Sequence, residues 1–419
     1  MRRALLIFSI VACSSGENSP GGTAGLVTVF DSTADTITAR VDGQVPTAAL
    51  RSMTLVMQIA PSVDDTSLFA EIGEVEVDRA NRIWLFDYRS NQLFLFDNTG
   101  TLVRRIGRQG QGPGEFASGG GLVTLPDTGA AIWDSRNARI SFFTSAGDFR
   151  TSWPTPAGFS TSNALYIDKA GTLYLRRPVT PPREGEILGR MGLVPLKDGG
   201  AFADSLLPVD LPVTRDTYVA VSPDGSGRSS TGSSFAPNYH WDWHPDGYFV
   251  AGHGGRYELI IERRGAKPIV VRRTAAPVPI LPEERDEEKE AITWNMRRTQ
   301  PNWSWTGGAL PETKAPLTGI TITRDGNIWA RVAVPSERIP EAKLPPQREK
   351  GAPVRHFRNT PAIYEVFAPN GRFLGRVPMP PRTTLFQADG DYFWGITRNE
   401  DDLPAIVRMK LSRPLSGEP

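Results

Sequence analysis

The stretch FDNTGTLVRRIGRQGQGPGEF, residues 96–116, places Gly107, Gly110, Gly112 and Gly114 within eight positions. A glycine-rich loop of this kind can cradle phosphate, provided that it has the right exit. A Walker A loop needs Lys-Ser/Thr after its last glycine, yet Gly112 is followed by Pro113-Gly114. A G-x-G-x-x-G frame starting at Gly110 puts Glu115 where the third glycine should stand. No helical pattern follows in either frame, so no helix N-terminus is offered to an anion. The stretch instead reads as a connector. Its glycines permit a sharp passage between two strands and Pro113 stiffens it. Arg108 and Glu115 are left at its surface.

Working outward, the strands on either side of this connector belong to a repeat. VEVDRANRIWLFDYRSNQLFLFDNTGTLVRRIG (75–107) is four short strand-like runs separated by turn residues. The plan recurs at 122–153, at 164–178 with 192–208, at 241–273, at 319–334 with 362–379, and at 384–411. Between the first and second strands stand RAN, DTG, KAG, PDG, RDG and ADG, residues that accept positive φ cheaply in a tight hairpin. The sixth copy stops after its third strand, near Lys410. SMTLVMQIA (52–60), ahead of the first copy, is free to supply the missing fourth strand and close the ring without an open edge. The expected fold is all-β, a six-bladed β-propeller over residues 50–411 with four antiparallel strands per blade.

The 96–116 stretch resembles the blade junction of NHL-repeat propellers. More closely, the chain resembles bacterial six-bladed β-propeller lipoproteins. The similarity covers most of residues 50–411 and is strongest in the first two copies. It departs from the NHL pattern after Phe116, where SGGG replaces the customary proline and apolar start. Propeller enzymes such as gluconolactonase-like hydrolases and NHL-type lyases use metal sites at the channel mouth, and no matching residues can be assigned here.

Composition bounds the class. With 22% charged and 39% hydrophobic residues and a formal net charge of +1, the chain is that of a turn-rich globular protein with no global field for nucleic acid. MRRALLIFSIVAC (1–13) has the charged and apolar regions of an export signal and is too short to span a bilayer. Its end resembles a lipobox, which makes Cys13 the expected lipidated N-terminus. Residues 1–12 are then the signal, 13–49 the lipidated N-terminus and tether, and 412–419 a C-terminal tail. Cys13 is the only cysteine, so intrachain disulfides and Cys-based zinc sites are excluded.

Alternation of strand direction sorts the loops onto two faces. Nearly all first-to-second and third-to-fourth turns are short. The long segments 107–121, 177–190, 208–239, 274–318 and 335–361 all fall on the opposite face. Within 274–318, Leu281-Pro282 precedes a helical pattern near 282–299, acidic at its start and ending in Arg297-Arg298. QPNWSWTGG follows with Trp303 and Trp305. Arginine and tryptophan are favoured at binding hot spots, so Arg108, Glu115, Arg297, Trp303, Trp305 and Arg355 are candidate ligand-face residues. His240, near the start of an inner strand, is a candidate for lining the channel. The alternative is that the tryptophans pack the insertion onto the propeller and the charges are solvated.

Catalytic signatures are missing: there is no G-x-S-x-G elbow, and His240, His244 and His253 sit at strand positions that do not converge on one metal. No cofactor is expected. The sequence therefore favours a monomeric, membrane-anchored binding module for an envelope protein, peptide or glycan. A propeller hydrolase or lyase with its site at the channel mouth is the alternative.

Overall fold

A computed structural model describes residues 26–415 other than 44, 46–49, 62–68, 70, 156–163, 183–188, 306, 346, 348, 400–402, 413 and 414. Cys13 and the signal lie outside the described residues. Six antiparallel sheets stand around one axis. Their innermost strands are Ile72–Val77, Gly119–Thr124, Leu165–Ile167, Tyr239–His244, Leu317–Ile322 and Thr384–Asp389. Blades 1, 2 and 5 have four strands in simple up-and-down order. The apolar residues collect between blades. Val75, Leu85 and Phe94 of blade 1 pack with Ile406 of blade 6, for example, while Trp84, Phe86 and Leu95 pack with Leu122 and Ile132 of blade 2.

Ring closure follows the sequence expectation. Met53–Ile59 pairs antiparallel with Pro404–Leu411, the third strand of blade 6, so both ends of the propeller share one sheet. Two elements differ from expectation. Blade 3 has three regular strands, and its fourth position is held only by the bridges Leu193↔Leu206 and Leu196↔Phe202. The turn at Asp198–Gly200 returns the chain to this edge, but Pro208 leaves it after two contacts. Residues 28–41, read as part of the tether, form a hairpin of Thr28–Ser32 and Ile37–Val41. Its second strand pairs parallel with Ile269–Arg273, which extends blade 4 to six strands and buries Ala39 and Val41 fully.

The 107–116 connector behaves as architecture. Gly107 and Gly114 have φ of +76° and +71°. Arg139 of blade 2 donates to the carbonyls of Gln111, Gly112 and Glu115 at 2.6–2.9 Å. The Gly112 amide, which a phosphate would need, donates to Glu115 Oε2 at 2.8 Å. In the DTG turn of blade 2, the left-handed residue is Thr128 (φ +65°) rather than Gly129. Gly129 is needed for another reason, since a Cβ there would collide with the Phe143 carbonyl oxygen.

The helix is Pro282–Arg297, close to its expected bounds. Its buried face carries Glu284, Glu288, Ile292 and Met296, a four-residue spacing that places two carboxylates and two apolar side chains on one stripe. The apolar half packs with Tyr218, Ala220, Trp303 and Leu310. In the acidic half, Glu284 is paired with Lys314 at 3.5 Å, and Glu288 accepts from Ser234 N and from Arg355 Nη1. The described residues of segments 208–239, 274–318 and 335–361 thus fold together as one accessory layer over the long-loop side of blades 4 and 5.

Candidate functional site

The structure separates the residues selected from sequence. Arg108 and Glu115 pair with each other at 2.7 Å. Trp303 is 5% exposed, and its indole N–H donates to Val219 O, so it belongs to the core of the accessory layer. Its expected place on the ligand face is corrected accordingly: the apolar stripe of the helix needs a large partner, and Trp303 fills that need. Trp305 meets Trp303 edge-on and lies against Tyr218 with ring centroids 4.4 Å apart. Arg297 donates to the Trp303 carbonyl. Arg355 is held by Glu288 at 3.0 Å and Glu287 at 3.7 Å. Arg297, Trp303, Trp305 and Arg355 are therefore brought into one layer, the tryptophans within it and the two arginines bonded to it at its surface. Arg108 and Glu115 lie at the blade 1–2 junction, and His240 lies in the inner strand of blade 4.

Two of the spaces on the long-loop side border Ser234. The larger, about 770 Å³, runs between the helix and residues 345–355, lined by Ile292, Trp294, Arg298, Pro345, Glu349 and Val354 among others. Arg298 covers the Trp294 ring at 5.1 Å. The smaller, about 190 Å³, lies beneath the layer between blades 4 and 5 and includes His240, Lys314, Thr318, Arg331 and Asn359.

The axis holds a second polar region. Glu74 and Glu76 alternate with Val75 and Val77 on the innermost strand of blade 1, which turns the carboxylates away from the apolar blade packing. Tyr88 donates to Glu74 at 3.2 Å. Opposite, Asp242 accepts from the amides of Ile322 and Trp243 at 2.7 and 2.8 Å. Tyr166 stacks on Trp241, and the Arg176 guanidinium lies over the Trp241 ring at 4.8 Å. Burial drives the Glu76 carboxyl up to about 8, with Glu74 and Asp242 adding to the rise and Arg324 opposing it. Burial likewise lifts Asp242 to about 6.

Arg324 crosses the short-turn end of this channel. From blade 5 it donates to the carbonyls of Val77 and Asp78 in blade 1 and pairs with Asp389 of blade 6 at 2.6 Å. The cavity at that end, about 480 Å³, touches the ends of all six inner strands.

A carboxyl group whose folded-state pKa is raised binds its proton more tightly in the folded than in the unfolded chain. Its contribution therefore falls as pH climbs from the unfolded value near 4.5 to about 8. Glu76→Gln should accordingly raise the melting temperature at pH 7.5 and leave it nearly unchanged at pH 4. Equal melting curves at pH 7.5 would show that Glu76 is not strained in the channel.

Two other histidines lie in blade 4. His244 stacks on Tyr248 and bonds the Gly326 carbonyl, while His253 stands at the far end of the same strand pair. Among the described residues, no three His, Cys, Asp or Glu side chains group as ligands for a metal ion.

With this geometry in place, residues 43–120 match the model of a family described as a six-bladed β-propeller (DUF5128). The described residues have that architecture. The protein is a six-bladed β-propeller. Among solved structures, a member of the DUF4221 family from Bacteroides vulgatus aligns at 12% identity and a TM-score of 0.50, covering 87% of this propeller and 99% of that protein. A Bacteroides fragilis protein assigned to export aligns at 11% identity and a TM-score of 0.47, covering 90% and 100%. Virginiamycin B lyase from Staphylococcus aureus aligns at 11% identity and a TM-score of 0.42, covering 86% and 99%. No curated protein matches the propeller in sequence. At these identities the likeness concerns the fold.

The channel acids were missed from sequence although a signal was present, in the Glu-Val-Glu-Val alternation of residues 74–77. Arg176 and Arg324 carried no comparable signal, because their partners lie on other blades.

Proposed function

We propose that this propeller is a monomeric binding module of the bacterial envelope, exported and held by a lipid on Cys13, which captures a peptide segment of an envelope protein on its long-loop side. The observation that carries this reading is the cleft between the helix and residues 345–355. Three separate insertions converge to build it, and it combines an aromatic floor at Trp294 with apolar Ile292, Pro345 and Val354 and a charged rim. Glu284, Glu287, Glu288, Lys314 and Arg355 are committed to ion pairs within the layer, and Trp303 and Trp305 to its packing. A glycan platform of exposed tryptophans is therefore less well supported than a peptide groove. Near-zero net charge gives no support to nucleic-acid binding.

Immobilised protein should retain envelope-derived peptides, and Trp294→Ala should weaken that retention about tenfold or more, as expected for an aromatic anchor. Its melting temperature should stay close to wild type, since Trp294 is only half-buried. Undiminished retention by the variant would remove the cleft from the account.

The channel acids favour a second reading, a hydrolase or lyase that works at the axis. Glu76 and Asp242, with carboxyls raised to different extents, could divide acid and base roles. Turnover of an envelope-derived substrate that is abolished by Glu76→Gln would establish it.

A further inference from the structure

The hairpin of Thr217–Val221 and Arg228–Gly232 rests on the helix with one face, where Tyr218 and Ala220 pack with Ile292 and Met296. Its two edges differ. On the Thr217–Val221 edge, the Val219 carbonyl accepts from the Trp303 indole at 2.9 Å and the Val221 amide donates to Gln300 Oε1 at 3.2 Å. Backbone groups along an antiparallel pair alternate between the partner strand and the outside. With Val219 and Val221 turned outward, the hairpin is bonded through Tyr218 and Ala220, whose register partners are Thr231 and Ser229. The bond from Ser222 N to Gly227 O at its turn has the same phase. Arg228, Ser230 and Gly232 therefore turn their N–H and C=O groups away from the hairpin. Among the described residues, no hydrogen bond engages these groups of Arg228 and Ser230, which are both exposed. The Gly232 carbonyl receives only the Thr231 hydroxyl, at 3.3 Å.

This open edge borders the cleft. Thr231 and Gly232 line it, together with Ala291 and Trp294 of the helix and with Pro353 and Val354. Donors and acceptors that recur at every second residue, about 7 Å apart, match the main chain of another extended strand. We propose that the cleft binds its ligand by strand addition, an extended peptide segment pairing with Arg228–Gly232 as the third strand of this hairpin. This rests on the reading of the cleft as a peptide groove and adds the backbone conformation of the ligand. Side chains of an added strand alternate between the two faces of the sheet. Every second one faces the helix, where Ile292 and Trp294 call for an apolar residue.

The test uses a library of N-acetylated, C-amidated hexapeptides and the same library with every backbone amide N-methylated, which keeps the side chains and removes the main-chain donors. Equilibrium binding is measured to wild type, Ser230→Pro, Ser230→Ala and Trp294→Ala. Proline removes the outward N–H and is tolerated on an edge strand, whereas alanine keeps that N–H and removes only the hydroxyl. Wild type should prefer the unmethylated library about tenfold or more, the cost of leaving the paired groups unsatisfied. The preference should largely vanish in Ser230→Pro, persist in Ser230→Ala, and survive in Trp294→Ala against a lower overall affinity. Equal binding of both libraries by wild type, or full affinity in Ser230→Pro, overturns strand addition. If both libraries bind equally and Trp294→Ala weakens both, the peptide groove stands and strand addition alone falls. If neither library binds, both fail. A dimer of the free protein that Ser230→Pro dissociates would mean that a second copy takes the edge, and likewise overturns the proposal. Melting temperatures close to wild type show that the variants are folded.

Discussion

Glu365→Ala should destabilise the propeller by about 3–5 kcal/mol, the cost of stranding one partner of a buried ion pair. Glu365 and Arg273 are 2% and 3% exposed and joined through both carboxylate oxygens at 3.0 and 3.1 Å. Tyr257 adds a 2.7 Å bond to Oε2. Without the carboxylate, the guanidinium would stay buried with only carbonyl partners. Those partners matter to the architecture: Arg273 Nη1 also donates to Val41 and Gly43, at 3.3 and 2.7 Å. The same arginine therefore ties blade 5, blade 4 and the N-terminal hairpin together. The double variant Arg273→Met/Glu365→Leu should recover most of the loss, because replacing the whole pair avoids the stranded charge. Chemical denaturation of the three proteins measures this. A loss below about 1 kcal/mol for Glu365→Ala would mean that the pair is hydrated and does not hold the blades.

A larger effect is expected when the closing strand is removed. A chain starting at residue 50 loses the hairpin on blade 4, including buried Ala39 and Val41, and should unfold at lower temperature but still cooperatively. A chain starting at residue 61 also loses Met53–Ile59. That exposes the edge of Pro404–Leu411 and removes Ile59 from the packing between blades 6 and 1. An unpaired edge with an apolar flank is an aggregation site. The shorter chain should therefore lack a cooperative transition and be largely insoluble, and a synthetic peptide of residues 50–61 added during refolding should rescue it. A sharp transition without the peptide would show that the ring does not depend on its closing strand.

The propeller could be read because its information is local and repeated. Six hairpin turns ending in Asn or Gly, each after an apolar run, set the blade count, and a missing fourth strand pointed to 52–60. What could not be read lies between elements distant in sequence. Glu365 and Arg273 each look like an ordinary strand charge. TVFDSTADTITARV (28–41) alternates as a hairpin should, but its polar residues and its place beside a Gly-rich stretch favoured a tether. Only the exposed outer edge of blade 4 explains why it folds there. For the site, sequence located the right side of the ring and the right insertions, while a tryptophan such as Trp303 reads the same whether it anchors a ligand or fills a core.

Hydrogen–deuterium exchange with and without the retained envelope-derived peptides tests the central claim, that ligands bind on the side built by the insertions. New protection is expected in the 231–234, 288–298 and 349–355 segments. Protection confined instead to the short-turn end of the channel, at 77–79, 124–126, 167–169 and 322–324, would contradict it.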